Sequence, residues 1–447
     1  MKRYEVIVIG AGPGGYKAAL ALGNAGLKTL LVEKSKEKVG GTCLNVGCIP
    51  TKNYLESAKF VSKAAYFKES GVLLDINGLD LEKLQQKTIS LKNEIRTGVL
   101  WMLEQAKVDI IYDSGSFVDS NTIEVSGEKI SFDKCIIATG SEIRELPILP
   151  IDGKRIISSR DVFELTSLPK SITIAGCGPI GCEFATFFNS FGVEVTMICR
   201  SSRLLPNEDD DISKALLRVF KKKNIKVITS STIKSSEVKD SGVKLILDDT
   251  QENIDCEMVL SAVGRVPYSK DLNLSNAQIE QDTNGYIKIK PTFQTTQDHI
   301  YAIGDCVDTP AFAHTAYTEA KISAHNIINN QAIRNEHITP STIFTNPEIA
   351  SCGLKEKNAK EKGQSIEIKK AFFKVNSKAK IHGDDSGFIK IIVCSKTNTI
   401  LGATIIGVEA TEIIHELVIA VEKKVTTQEL KNIIHSHPTV SEIVSYL

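Results

Sequence analysis

The chain opens on a nearly unbroken apolar run. Tyr4 to Ile9 (YEVIVI) leaves almost no polar face, which predicts a strand covered on both sides. Gly10-Ala11-Gly12-Pro13-Gly14-Gly15 follows, then an Ala/Leu-rich stretch from Tyr16 to Ala25 that predicts a helix. Lys28 to Glu33 reads as the next strand, and an amphipathic pattern from about Leu81 to Ala106 predicts a long helix. The order then restarts. Ser171 to Ala175 predicts a strand, Gly176-Cys177-Gly178-Pro179-Ile180-Gly181 a loop, Cys182 to Phe191 a helix and Val193 to Cys199 a second strand. Near Gly264 the pattern changes again, and Ile300 to Asp305 reads as a short strand. Beyond about Asn335 the pattern predicts alternating strands and two helices, ending near His435-Ser436-His437-Pro438.

Two copies of one strand–glycine loop–helix–strand unit predict an α/β chain with two Rossmann-like dinucleotide-binding domains and a C-terminal α+β domain. The length of 447 residues agrees, at roughly 150 residues per domain. Division falls at residues 1–145 (completed by 265–334), 146–264, 265–334 as a central segment, and 335–447. Basic and acidic residues balance at 54 each, which gives no electrostatic basis for binding nucleic acid. No apolar run reaches the roughly 20 residues of a membrane span. A strand that begins almost at once leaves no room for a signal peptide. Of ten cysteines, Cys135, Cys177, Cys182, Cys199, Cys256, Cys306, Cys352 and Cys394 are scattered singly. That scatter fits a cytoplasmic protein whose cysteines are mostly small buried hydrophobes. Cys43 and Cys48 stand close together in a Gly-rich setting.

Gly10, Gly12 and Gly15 fit G-x-G-x-x-G between a strand and a helix. Such a loop turns tightly, lets backbone approach a pyrophosphate, and offers the free N–H groups of a helix start to the anion. Glu33 stands about 20 residues on, where a ribose 2′-hydroxyl needs an acceptor. A plain glycine turn is the competing reading, and the strand, helix and acid in register argue against it. The segment Gly40-Gly41-Thr42-Cys43-Leu44-Asn45-Val46-Gly47-Cys48-Ile49-Pro50-Thr51-Lys52 is richer still. Bridging residues five apart requires a distorted turn, which Gly47 and Pro50 favour. So short a loop removes little unfolded-state entropy, so a structural staple explains it poorly. A metal site would need two further ligands at suitable spacing. No metal is expected, and redox chemistry is the reading these residues favour.

This segment resembles the active site of the pyridine nucleotide–disulfide oxidoreductases, most closely that of the dihydrolipoamide dehydrogenases among them. The resemblance continues in order through Gly10–Gly15, Ala138-Thr139-Gly140, GCGPIGCE at 176–183, IYAIGDC at 300–306 and HSHPTVSE at 435–442. It implies tightly bound FAD, with NAD or NADP as co-substrate. It implies that Cys48 is the thiol nearer the flavin and Cys43 the one that meets substrate. Lys52 and Glu183 resemble the ion pair packed near the flavin. Asp305 resembles the acid that holds the flavin's ribityl or pyrophosphate region, and Ala313-His314 the flavin-contacting turn after it. Thr139, Gly140 and Gly264 lie in cofactor-lining segments, while Gly176, Gly178 and Gly181 make the second dinucleotide loop. His437 with Glu442 resembles the family's base and its orienting carboxylate, a role suited to imidazole. His435 is the weaker candidate. In this family the histidine comes from the neighbouring subunit, which implies a homodimer. The implied reaction oxidises dihydrolipoyl groups on a lipoyl-carrying protein, with docking in a 2-oxoacid dehydrogenase complex as a further role.

Relatives offer alternatives. Mercuric reductase and large thioredoxin reductase would add a C-terminal cysteine pair, yet no cysteine follows Cys394. Glutathione reductase shares the fold and the His-Glu pair, but more often reads on into Lys-Lys where Thr51-Lys52-Asn53 stands. One departure concerns the nicotinamide. NAD-dependent members usually carry an acid at the end of the second strand of the second unit. Here Cys199 takes that place, Arg200 follows and Arg203 lies a short loop further. With no carboxylate to repel it and a guanidinium to bind it, a 2′-phosphate is acceptable, so NADP(H) is expected to serve at least as well as NAD(H). Gly181 points the other way, since NADP-dependent relatives often have alanine there.

Overall fold

The computed structural model describes residues 1–76, 78–248 and 253–447. It divides into two compact units, one of residues 1–51, 83–144 and 264–336, the other of 52–82, 145–263 and 337–447. In the first unit, strands Asp109–Tyr112, Thr29–Glu33, Lys2–Ile9 and Glu128–Ile137 lie side by side in that order and in parallel. Ile300–Ala302 adds in parallel beside Glu128–Ile137. The hairpin of Gly115–Asp119 and Thr122–Val125 extends the same sheet in antiparallel fashion. Successive side chains of a strand point to opposite faces. Val6 and Val8 accordingly enter one core with Ala18 and Leu22 of helix Pro13–Asn24 and Leu103 of helix Leu81–Gln105. Ile7 and Ile9 enter the other with Phe117, Ile123 and Phe132. Cores on both faces explain why the opening run is nearly all apolar.

In the second unit, Lys226–Ile228, Glu194–Ile198, Ser171–Ala175, Met258–Ser261 and Ile156–Ser158 form a parallel sheet in that order. The remainder holds an antiparallel sheet ordered Ser341–Ile343, Glu348–Gly353, Ile400–Gly407, Phe388–Cys394, Ile366–Phe372. Its core draws on Ile389, Ile391, Ile405 and Leu417. The sequence pattern predicts two helices in this region, whereas the structure has four: Glu356–Glu361, Ser377–Ile381, Ala410–Glu422 and Thr427–Asn432. The first two span barely more than one turn, too short for a periodic signal. The predicted strand to Asp305 also ends early, at Ala302, because Gly304–Cys306 winds into a 3₁₀ turn.

One residue in the C-terminal sheet is charged and sealed. Lys390 is 0% exposed, and its Nζ lies 2.7 Å from Asp209 and 2.8 Å from Asp211. Burial pushes Lys390 toward its neutral form, but the two carboxylates outweigh it and hold the ammonium above its usual value. Asp211 also pairs with Lys370 at 2.6 Å. Removing one partner of such a buried group strands the other charge, at about 3–5 kcal/mol.

Candidate functional site

The first glycine loop is built by backbone contacts that tolerate no side chain. Gly10 has φ +100°, and a Cβ there would meet the Ala138 carbonyl at 2.4 Å. A Cβ on Gly15 would stand 1.7 Å from Gly10 O. Helix Pro13–Asn24 starts behind Gly12 without a side-chain cap, so its first N–H groups are available to an anion. Glu33 is buried, and its carboxylate accepts the N–H of Ala11 at 2.7 Å and of Lys34 at 2.7 Å. Burial pushes this carboxyl up, against the pull of those two donors. The acid expected to meet a ribose therefore also braces the loop.

The cysteine segment is pressed onto that loop. Gly40 donates to Ala11 O at 2.8 Å, and a Cβ on Gly41 would meet Gly12 Cα at 2.6 Å. Cys43 lies in helix Gly41–Val46, and Cys48 begins helix Cys48–Glu69. Gly47 is the joint between them, where a Cβ would meet Thr42 O at 2.8 Å. Both cysteines are half-buried. Pro50 sits within the first turn of the second helix, where its missing N–H costs no helical bond. Several neighbours carry no sequence signal. Asn45 donates to Lys38, Val39 and Gly41 carbonyls and accepts from Arg96 at 2.6 Å, which clamps the short helix. The hydroxyls of Tyr16 and Tyr317 share a 3.0 Å hydrogen bond. Burial pushes both phenols up, and for Tyr16 the hydrogen bond with Tyr317 adds to it.

Other predicted residues fall into the same unit. Thr139 Oγ1 donates to Tyr268 O at 2.5 Å, and Gly140 has φ +73° with open space where a Cβ would stand. Asp305 accepts from Ser141 Oγ at 2.6 Å, and Arg265 Nε donates to the same hydroxyl at 2.7 Å. Gly264 adopts φ +112° and accepts the N–H of Arg144 at 3.1 Å. Ala313 and His314 do not form a turn; they open helix Ala313–Asn329, with His314 stacked on Phe312 at 5.1 Å between ring centroids. Glu319 in that helix is fully buried and accepts from Gly304 N at 2.6 Å, a brace beside Asp305 that no sequence pattern announces.

In the second unit, Lys52 lies one turn beyond Cys48 in the same helix. Its Nζ donates to both Glu183 oxygens at 3.0 Å and stands over the Phe344 ring at 4.6 Å. Glu183 is buried and also accepts from Phe344 N at 3.0 Å. The second glycine loop repeats the first. A Cβ on Gly176 would meet Ala262 O at 2.3 Å, and one on Gly181 would meet Gly176 O at 2.5 Å. Gly178 opens onto free space and precedes helix Pro179–Ser190, which again lacks a side-chain cap. Both loops thus share the uncapped helix start that suits a diphosphate. Cys199 is buried and Arg200 exposed. Arg203 is committed elsewhere: its guanidinium donates to Pro206 O at 2.9 Å and Glu208 O at 3.0 Å. Of the two, Arg200 is the exposed one.

Near the C-terminus, His437 Nδ1–H donates to Glu442 Oε1 at 3.0 Å, while Thr439 N–H donates to the other oxygen at 2.9 Å. These donors, Thr439 first, hold the Glu442 carboxyl below its usual range. The His437 side chain is 70% exposed. His435 forms a separate pair with Glu416 at 2.9 Å and is nearly sealed. Among the described residues no group of His, Cys, Asp or Glu could hold a metal ion, and no helix is long and apolar enough to cross a membrane.

Comparison with known proteins bears on the whole length. The chain is 35% identical to the dihydrolipoyl dehydrogenase of Staphylococcus aureus over 446 residues, covering 98% of this chain and 94% of that one. It is 35% identical to the mitochondrial dihydrolipoyl dehydrogenase of Schizosaccharomyces pombe, covering 98% and 88%. Among solved structures, the HOCl-induced flavoprotein disulfide reductase RclA of Escherichia coli superposes with a TM-score of 0.90 at 26% identity, over 99% of each chain. LpdA of Mycobacterium tuberculosis shares the fold, with a TM-score of 0.92 at 23% identity over 100% of this chain and 98% of that one. Residues 4–320 match the family described as pyridine nucleotide-disulphide oxidoreductase, and residues 339–447 match its dimerisation domain. With those two matches running almost from end to end, the chain belongs to the pyridine nucleotide-disulphide oxidoreductases.

Proposed function

We propose that this enzyme oxidises dihydrolipoyl groups to lipoyl groups through Cys43 and Cys48 and passes the electrons to a pyridine nucleotide. The observation that carries the reading is a segment held to the first glycine loop through Gly40 and Gly41, with two half-buried cysteines on either side of its joint at Gly47. The relatives named dihydrolipoyl dehydrogenase support the choice of substrate. Residues 1–145 with 265–334 would hold FAD, through Gly10, Gly12, Gly15, Glu33, Thr139, Gly140 and Asp305. Residues 146–264 would hold the nicotinamide nucleotide, and 335–447 would make a homodimer. Bound FAD supplies a two-electron carrier between the cysteine pair and the nicotinamide.

The chain's own residues account for the thiol chemistry. In the proposed homodimer, His437 of the partner subunit takes the proton of a dihydrolipoyl thiol through Nε2, as the family resemblance implies, and the carboxylate paired with it stabilises the resulting imidazolium through Nδ1. The thiolate attacks Cys43 of the Cys43–Cys48 disulfide, forming a mixed disulfide and releasing Cys48 as thiolate. The second lipoyl thiol then closes the ring and expels Cys43. Lys52, fixed by Glu183, holds a positive charge one helical turn from Cys48. At the nucleotide end, Cys199 offers no carboxylate against a 2′-phosphate and Arg200 offers a guanidinium, which favours NADP(H) at least equally with NAD(H). A lipoyl-carrying protein is the expected partner, in a 2-oxoacid dehydrogenase complex, and the single buried cysteines suit the reducing cytoplasm.

Steady-state assays of the purified protein separate the readings. Dihydrolipoamide oxidation is expected with both NAD⁺ and NADP⁺. Turnover confined to glutathione disulfide and NADPH would make it a glutathione reductase-type enzyme instead. A hundredfold preference in kcat/KM for NAD⁺ would overturn the part assigned to Arg200.

A further inference from the structure

The second glycine loop carries sulfur where the first carries a peptide–carboxylate contact. Gly10 N donates to Val32 O at 2.8 Å, and Gly176 N donates to Ile198 O at 2.9 Å. These two bonds put the loops in register, so Ala11 corresponds to Cys177 and Glu33 to Cys199. In the first loop the pair is in direct contact, Ala11 N to Glu33 at 2.7 Å. In the second loop the same register brings two side chains to one strand end, and the Cys177 and Cys199 thiols are close enough for each to shift the other's titration. Adjacent strands lie about 4.8 Å apart, and a disulfide spans Cα atoms about 4.4–6.8 Å apart, so the two are compatible.

The surroundings single out Cys177 as the reactive partner. It is 7% exposed, whereas Cys199 is sealed. Ser201 Oγ lies 3.1 Å from its sulfur, and its carbonyl accepts Leu205 N at 2.8 Å, which folds the 201–205 loop over it. The neighbouring Cys199 thiol and then Ser201 pull the Cys177 thiol below its usual value against burial, while Cys177 and burial push Cys199 up. A thiol of lowered pKa with a second thiol beside it is the arrangement of a redox-sensitive pair.

We propose that Cys177 and Cys199 form a second dithiol, separate from Cys43 and Cys48, whose oxidation by a hydroperoxide to a disulfide closes the nicotinamide nucleotide site. In the first step the Cys177 thiolate attacks the O–O bond of ROOH. An S–O bond forms, the O–O bond breaks, and the alkoxide takes up a proton and leaves as ROH. In the second, the Cys199 sulfur attacks the sulfenic sulfur of Cys177. The S–S bond forms, the S–O bond breaks, and hydroxide leaves with the Cys199 proton as water. Two thiols lose two electrons and the peroxide gains them. The new bond draws the residue between Gly176 and Gly178 onto the strand end where the adenosine ribose is expected, so nucleotide and disulfide compete for one space.

The proposal rests on the reading of this loop as the nucleotide site, and the test keeps the two apart. The oxidised holoenzyme is titrated with hydrogen peroxide and digested without reductant. Cleavage after Glu183 and Glu194 puts Cys177 and Cys199 on different peptides. The expected result is a 177–199 cross-link that rises with at least a tenfold loss of pyridine-nucleotide affinity, both reversed by dithiothreitol and both slowed by saturating NADP⁺. Cys199→Ala should instead leave a sulfenic acid on Cys177 that dimedone traps, and Cys177→Ala should show neither product. Each variant is scored as its treated-to-untreated ratio, with flavin content as the check on folding. Absence of the link in wild type, or a link that leaves nucleotide affinity unchanged, overturns the proposal. Failure of the untreated enzyme to bind either nucleotide overturns the loop's assignment, a result independent of whether the link forms.

Discussion

The two glycine loops are near copies in backbone and differ in what stands behind them. Each leading glycine needs its positive φ and its approach to a carbonyl, Ala138 in one case and Ala262 in the other. Each third glycine lies against the first. Behind the first loop a buried carboxylate accepts a backbone N–H. Behind the second there is a pair of sulfurs and, beyond it, an exposed arginine. The backbone of both loops thus follows one plan, and on the proposed reading the residue at the end of the second strand sets the difference: a carboxyl behind the loop proposed for FAD, sulfur behind the one proposed for the nicotinamide nucleotide.

Substitution at the third glycine should break this parallel most severely. Gly15→Ala puts a Cβ 1.7 Å from Gly10 O, and the purified protein is expected to hold no FAD. Gly181→Ala meets Gly176 O at 2.5 Å, a smaller conflict, and should keep FAD while weakening the nucleotide. Flavin absorbance per subunit checks both; full flavin in Gly15→Ala would mean that the first loop is not the FAD site. His437→Gln should slow the dithiol half-reaction about 10²–10⁴-fold, the range for a lost general base, and spare flavin reduction by reduced nicotinamide. Rapid-mixing spectra with both halves equally slowed would contradict the assignment. A smaller effect is expected from Arg200→Glu, which should shift preference from NADP⁺ toward NAD⁺ by about 1–3 kcal/mol in kcat/KM.

The smallest effect belongs to Glu33. Burial raises its carboxyl in the folded protein, so the folded state favours the protonated acid. That contribution is complete below the unfolded pKa and is lost as pH rises through the folded one. FAD-free Glu33→Gln should therefore melt above FAD-free wild type at neutral pH. The gap should close as pH falls toward the ordinary carboxylate value of about 4. A gap that widens on acidification would mean that the N–H donors of Ala11 and Lys34 dominate instead.

What the sequence discloses here is what local rules enforce. Glycine at 10, 15, 176 and 181 is demanded by contacts within a few residues of each position or at the adjoining strand end, so the loops are readable without the rest of the fold. Helix Cys48–Glu69 is less readable, because Pro50 reads as a breaker unless it is known to lie in the first turn. Lys390 is opaque for another reason. In the run Phe388-Ile389-Lys390-Ile391-Ile392 it looks like an outward-facing charge, and its partners Asp209 and Asp211 lie about 180 residues earlier. Cys177 and Cys199 read as two scattered cysteines until the register of Ser171–Ala175 with Glu194–Ile198 brings them to one strand end. Tyr317 and Glu319 likewise acquire partners only through tertiary packing.

The loop after Cys199 has a consequence for anyone who would transplant this nucleotide module. Residues 201–205 close over Cys177, and a few residues on Asp209 and Asp211 clasp Lys390 in the C-terminal sheet. In the proposed nucleotide segment 146–264, the acids Asp209 and Asp211 are balanced by a lysine about 130 residues past its end. Swapping in a homologous module without matching acids would strand a cation inside the sheet; moving this one without Lys390 would deprive Asp209 and Asp211 of the ammonium they share. The heritable cassette is thus larger than the domain, and recombination that respects only the domain borders would select against its own products.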